Sequence, residues 1–193
     1  SEKEIKKGIT KDSKAWRNKL AQSGLDAAIK AKPAAFYTKS DAKRITVGNF
    51  EDDFEKIADC DWIIEVVIER LDIKKQVFEK VEKYRRAGSI VSTNTSGLSI
   101  HAMTEGRSDE FCEHFLGTHF FNPPRYLRLL EIIPHTKTKP EVLEFMKWFC
   151  TEKLGKGVVI AKDTPNFVAN RLGVHGIMYT MLSLIHISEP TRL

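Results

Sequence analysis

Cysteine is scarce: Cys60, Cys112 and Cys150 are odd in number, far apart and without metal-ligand spacing. That excludes a disulfide framework and a zinc site as organising principles, so no metal is expected, and three reduced thiols fit a cytoplasmic setting. Long apolar runs are missing as well. No stretch approaches the roughly 18 to 20 residues that would span a bilayer, and the lysine-rich, acidic start is unlike a secretory signal, so no membrane partner is expected. There are no internal repeats or low-complexity tracts. Charge is not one-sided either, since 31 Lys and Arg stand against 26 Asp and Glu. The resulting +5 is interleaved with acids rather than gathered into an aromatic-studded stripe, which argues against a nucleic-acid partner. An anionic small molecule suits the surplus.

What is present is an ordinary globular composition, 41% hydrophobic and 30% charged. A chain of this length buries one domain and part of another. It opens at Ser1 rather than methionine, which suggests that the natural protein begins upstream. The closing stretch Leu182 to Leu193 (LSLIHISEPTRL) matches a translated sequencing-library adapter and is expected to be foreign to the fold.

The hydrophobic pattern alternates between two periods. Trp16, Leu20, Leu25, Ala28 and Ile29 recur at helical spacing between Asp12 and Lys32, and Pro33 ends the pattern. Ile45 to Val47 is a short strand candidate, followed by helical spacing from Phe50 to Asp59. Trp62 to Val67 is β-prone and nearly all apolar, the pattern of a strand buried on both faces of a parallel sheet. Asp72 to Arg86 is the clearest helix: Ile73, Val77, Phe78, Val81 and Tyr84 line one side, Lys74, Lys75, Lys80 and Lys83 are expected to face water, and Gly88 follows. Strands are expected at Ser89 to Ser92, Phe115 to Phe121, Leu127 to Ile133 and Val158 to Ala161, and helices at Ser99 to Glu105 and from Pro140 to Leu154. A further helix is expected to open at Thr164, with Pro165 in its first turn. Alternation of this kind predicts an α/β fold with a doubly wound, mostly parallel sheet. A boundary falls near Lys162, where strand signals cease.

In such sheets ligands sit beyond the carboxyl ends of the strands, so polar residues placed there draw notice. Thr93-Asn94-Thr95-Ser96-Gly97 follows one strand; turn chemistry alone makes it a turn or a helix N-cap, and the functional alternative has a hydroxyl and backbone amides aimed at a ligand. His119 interrupts an apolar strand that then turns at Asn122-Pro123-Pro124, and a lone histidine of this kind is more often a hydrogen-bonded core residue. Glu131 stands inside Leu129-Leu130-Glu131-Ile132-Ile133. Such a carboxylate must either point to solvent at an edge or hold a cationic or proton-donating partner, for which His119, one strand earlier, is the candidate. A histidine fixed by a carboxylate is a general base suited to taking a hydroxyl proton while hydride leaves the carbon.

Asp61-Trp-Ile-Ile-Glu65-Val-Val-Ile-Glu69-Arg-Leu-Asp-Ile-Lys74, Thr93-Asn-Thr-Ser-Gly97, His119-Phe-Phe-Asn-Pro123, Leu130-Glu131 and Lys162-Asp-Thr-Pro-Asn-Phe-Val-Ala-Asn-Arg171, in that order, closely resemble the 3-hydroxyacyl-CoA dehydrogenase family from about Arg17 to Met181. The resemblance implies a Rossmann-like domain over 1–161, lacking its N-terminal strands, and the start of an all-α domain over 162–181, with 182–193 outside both. It implies oxidation of an (S)-3-hydroxyacyl-CoA with NAD in fatty acid β-oxidation. His119 would be the base and Glu131 its partner, with Ser96 and Asn170 at the hydroxyl or thioester end of the substrate. Glu69, Lys74, Ser96 and Asn122 would lie near the nicotinamide and its ribose. Taken without the family, Glu69 and Lys74 read as a solvated ion pair and Asn122 as a turn former.

The resemblance further implies an acyl-CoA partner and a homo-oligomer in the full-length protein. Two departures stand out. The sequence has no Gly-x-Gly-x-x-Gly turn, so the chain by itself is expected to bind NAD poorly. Asn166 occupies a position often held by glycine, which resembles the large multifunctional members that also carry an enoyl-CoA hydratase domain. A sister dehydrogenase of a small hydroxy or sugar acid, and a non-catalytic docking remnant, remain as alternatives.

Overall fold

The computed structural model describes residues 13–187. Ser1, Asp12 and the 188–193 part of the adapter-like stretch lie outside the described residues. Two short helices, α1 (Lys14–Arg17) and α2 (Lys19–Lys30), open the described chain, with the Ser13 hydroxyl accepting from the Trp16 amide to cap the first. β1 (Trp62–Glu65), α3 (Leu71–Tyr84), β2 (Ile90–Thr93), the one-turn helices α4 (Ile100–Met103) and α5 (Asp109–Glu113), and β3 (Phe115–Phe120) follow. The chain continues through β4 (Leu129–Pro134), α6 (Pro140–Trp148), a π-helical turn (Phe149–Lys153), β5 (Gly157–Ile160) and α7 (Ala169–Ile187).

The five strands form one sheet in sequence order. β1, β2 and β3 are parallel, β4 returns antiparallel to β3, and β5 runs parallel to β4. Apolar side chains alternate across β3 with the period of two that a strand imposes. Phe115 joins Phe78, Phe111, Ile100, Met103 and Phe167 under α3, α4 and α5. Leu116 points the other way, to Val142, Met146 and Cys150 under α6. Helices therefore cover both faces, as a doubly wound sheet requires. Phe78, Phe111 and Phe115 pack with centroids 5.1 to 6.0 Å apart. Each fully buried ring contributes roughly 1.5–3 kcal/mol.

Five expectations need correction. Ile45 to Val47 is extended but is not a strand, because no described strand lies beside it to take up its backbone hydrogen bonds. The β-prone run at Trp62 ends at Glu65 and sits at the sheet edge, so Ile64 is 42% exposed rather than buried on both faces. The helix in Phe50 to Asp59 is confined to a 3-10 stretch, Phe54–Asp59. Lys74 does not face water: it is fully buried, because two carboxylates stand within its reach. Finally, the last helix begins at Ala169, not Thr164. Asn166 and Phe167 have φ of 63° and 46°, a left-handed kink that no α-helix tolerates and that glycine adopts without steric cost. Among the described residues no helix is long and apolar enough to cross a membrane.

Candidate active site

Period-two alternation along β3 puts Phe115, Gly117 and His119 on one face, and the antiparallel register sets Glu131 directly opposite His119. The two side chains meet there, with Nδ1 of His119 2.7 Å from Oε2 of Glu131, and both are buried. The other oxygen of Glu131 accepts from the backbone amides of Val168 and Ala169 at 2.9 and 2.8 Å. Glu131 thus caps the start of α7 from a different strand, and its buried charge faces three N–H donors. That cap was not visible in the sequence, because it needs the kink at Asn166 and Phe167 to bring the two amides round.

The carboxylate fixes the imidazole in the tautomer that carries its proton on Nδ1, leaving the Nε2 lone pair free. Among the described residues no hydrogen bond to Nε2 is found, and with the His119 side chain 5% exposed that nitrogen is left unspent. Phe121 and Phe167 flank the ring at 4.4 and 5.8 Å between centroids, restricting its motion.

The loop after β2 closes over the same end of the sheet. Asn170 donates its amide to the Ser96 carbonyl at 3.0 Å, which brings two of the expected site residues together. Ser96 also donates its backbone amide to Glu69 at 2.9 Å, and the Thr95 hydroxyl bonds to the same carboxylate oxygen. Lys74 lies 3.3 Å from the other oxygen of Glu69. Burial pushes the Glu69 carboxyl up, but the bonds from Thr95 and Ser96 and the Lys74 charge outweigh it and hold Glu69 below its ordinary value. Gly97 is required by proximity: a Cβ there would sit 2.6 Å from Oδ1 of Asn166 and 3.2 Å from its backbone nitrogen.

Asn122 is not hydrogen-bonded into this cluster. It is exposed, precedes a cis peptide bond to Pro123, and makes no hydrogen bond with Glu69 or Ser96. Its neighbour in role is Asn94, whose side-chain oxygen accepts from the Phe120 amide at 2.9 Å and ties the carboxyl ends of β2 and β3. Asn94 lay inside a motif already noticed, but its place could not be told from that of any turn residue. Glu65 and Asp163 were missed as well. Asp163 accepts from the Ser99 hydroxyl, the Ile100 and His101 amides and Nδ1 of His101, pinning the segment after β5 onto α4. A pocket of about 470 Å³ lined by Asp61, Trp62, Gly88, Ile90 and Phe149 opens at the opposite, amino ends of β1 and β2 and plays no part in this arrangement.

A proton acceptor with an open lone pair, a carboxylate behind it and a serine and asparagine beside the same strand ends can draw a proton from an alcohol. Residues 5–164 match the family model described as 3-hydroxyacyl-CoA dehydrogenase, NAD binding domain. A probable 3-hydroxyacyl-CoA dehydrogenase of Bacillus subtilis (strain 168) is 53% identical over 185 residues, covering 96% of this chain and 23% of the relative. A probable 3-hydroxyacyl-CoA dehydrogenase of Deinococcus radiodurans is 52% identical over 165 residues, covering 86% of this chain and 48% of the relative. The solved structure of (S)-3-hydroxybutyryl-CoA dehydrogenase PaaH1 from Ralstonia eutropha superposes with a TM-score of 0.65 at 27% identity, over 82% of this chain and 56% of that one. The chain thus spans about a quarter to a half of the curated relatives it matches. By its matched residues and its sheet, the chain belongs to the 3-hydroxyacyl-CoA dehydrogenase family.

Proposed function

We propose that the polypeptide carrying this chain oxidises an (S)-3-hydroxyacyl-CoA to the 3-oxoacyl-CoA in fatty acid oxidation, with His119 as general base and Glu131 as its partner. The observation that carries the reading is the 2.7 Å bond from His119 Nδ1 to a carboxylate already held by two helix amides, which leaves Nε2 open. NAD+ supplies the acceptor for the hydride that leaves C3. His119 takes the hydroxyl proton on Nε2, and Glu131 stabilises the imidazolium across Nδ1. Proton and hydride together account for the two hydrogens removed from the alcohol.

The residues fit the nicotinamide-ribose end of such a cofactor. Glu69 is partly exposed, and its second oxygen, 3.3 Å from Lys74, keeps a lone pair that can accept from a hydroxyl. The exposed Ser96 lies on the same loop, and Asn170, fixed to the Ser96 carbonyl, orients substrate beside the base. Lys74, being buried, acts on the cofactor only through Glu69. We assign the segment from residue 162, with the long helix α7, to the beginning of a helical domain that completes the substrate side, and a cytoplasmic setting suits the free thiols.

The test is His119→Ala in the full-length polypeptide, assayed with acetoacetyl-CoA and NADH. Turnover is expected to fall about 10²- to 10⁴-fold with dinucleotide binding retained, the range a positioned base contributes. An unchanged rate overturns the proposal.

A further inference from the structure

Glu65 takes no part in the chemistry above, yet it is one of the most completely engaged side chains in the molecule. It ends β1, opposite Thr93 in the parallel register with β2. Its carboxylate is buried and accepts from Lys74 at 2.8 and 3.0 Å, from the Thr93 hydroxyl at 2.6 Å and from the Val67 amide at 2.6 Å. Lys74, equally buried, reaches beyond Glu65 to Glu69 at 3.3 Å and to the Val67 carbonyl at 3.4 Å. Two carboxylates therefore share one ammonium, and the geometry is unequal: Glu65 holds it with both oxygens, Glu69 with one longer contact. This leaves Glu69 able to spend its other oxygen on Thr95 and the Ser96 amide.

Removing the Glu65 charge alters that division. A buried ammonium cannot stay unpaired, and the remaining anion within its reach is Glu69. Lys74 would then draw the Glu69 carboxylate off the Thr95-Ser96 loop and cancel its charge.

We infer that Glu65 is a positioning residue: by occupying Lys74 it keeps Glu69 clamped on the Ser96 loop and presents a carboxylate oxygen to hydroxyl groups of a bound ligand. On the reading proposed above, which this inference extends, those hydroxyls belong to the ribose of the dinucleotide. Glu65 thus acts from beneath the site without touching a ligand.

The experiment compares Glu65→Gln with the double variant Glu65→Gln/Lys74→Met in the full-length polypeptide. Its first readout needs no cofactor: hydrogen exchange of the Ser96 amide, which Glu69 protects. Glu65→Gln is expected to speed that exchange about tenfold, the loss of one charge-assisted hydrogen bond, and the double variant to return it to within about threefold of the parent. The second readout is kinetic. KM for NAD should rise about tenfold in the single variant with kcat within about threefold, and recover in the double variant.

A merely structural glutamate would lower thermal stability without this split and without rescue by removing the lysine. If Glu65→Gln does not fold, Glu65→Asp replaces it; the shortened carboxylate releases Lys74 towards Glu69, and Ser96 exchange again quickens. Unchanged Ser96 exchange in the folded variant, or a double variant no better than the single, overturns the inference. A clamp that behaves as described in a protein without turnover removes the dehydrogenase reading and leaves the clamp standing.

Discussion

Two of the histidine-carboxylate pairs share a plan, one within the sheet at His119 and Glu131 and one beside it at His101 and Asp163. In both, Nδ1 of the ring meets a carboxylate, at 2.7 Å for His119 with Glu131 and 2.5 Å for His101 with Asp163. In both, that carboxylate also accepts from backbone amides at a helix start: Val168 and Ala169 for Glu131, Ile100 and His101 for Asp163. They differ at Nε2. In His101 it accepts from the Thr136 amide at 3.1 Å and lies 3.2 Å from the Thr136 hydroxyl, so the ring is consumed as a bracket between α4 and the end of β4. In His119 it is left open. A His-carboxylate pair is therefore not in itself a catalytic signature; on the reading proposed above, the unspent nitrogen at the carboxyl end of β3 makes the difference.

The largest expected effect separates the two carboxylates. Glu131→Gln can present an N–H to Nδ1 and reverse the tautomer of His119, so turnover should fall about 10²- to 10⁴-fold. Asp163→Asn should leave turnover within about threefold and cost about 1 kcal/mol of stability, as expected when a capping acceptor is weakened. Steady-state rates and denaturant titrations of the two variants, run together, would break the comparison if both lost activity equally.

A smaller effect probes the segment that joins the pairs. It runs from Asp163 through the left-handed Asn166 and Phe167 to the amides that Glu131 holds. Gly97→Ala forces a methyl against Asn166, and about 1–3 kcal/mol of destabilisation is expected from such overpacking. The same variant should weaken the Asn170 bond to Ser96, so a rise in KM should accompany the stability loss. A neutral result in both measurements would separate the segment from the site.

The smallest effects are those of pH on stability, one from Asp163 of the second pair and one from His135 stacked on its histidine. Burial pushes the Asp163 carboxyl up, but the bonds from His101, Ser99 and the two amides outweigh it and hold it below its ordinary value. A depressed carboxyl contributes stability that is present above its unfolded pKa of about 4 and lost as pH falls through the folded value. Asp163→Asn should therefore flatten the acid limb of a Tm-against-pH curve. His135, stacked on His101 at 4.2 Å, is shifted down by burial and then by the charges of His101 and Lys137, against the pull of Asp163. Its stability contribution is full above about pH 6.5 and shrinks as pH falls towards the folded value, because the unfolded chain binds the proton first. His135→Gln should remove that slope between about pH 5 and 7.

Much of this was legible beforehand. The strand and helix alternation and the His119-Glu131 pairing follow from local pattern, because alternation and periodicity are written in adjacent residues. What escaped depends on neighbours distant in sequence. Lys74 sits on what reads as the wet face of α3, and only the convergence of β1 and its following loop supplies the two carboxylates that bury it. Ile45 to Val47 reads as a strand from side chains alone, but a strand is made by its partner's backbone. The helix expected at Thr164 had its proline in a suitable place, yet the kink two residues later defers the first turn to Ala169. His101 and Asp163, 62 residues apart, offered no pattern at all.

The central claim is that Glu131 keeps the proton of the neutral His119 ring on Nδ1 and leaves Nε2 as the basic atom. Long-range proton-nitrogen correlation spectra of the ¹⁵N-labelled protein, recorded at alkaline pH, read this out atom by atom. The account expects an imine-type Nε2 and a protonated, slowly exchanging Nδ1. A ring whose neutral form carries its proton on Nε2 would contradict it.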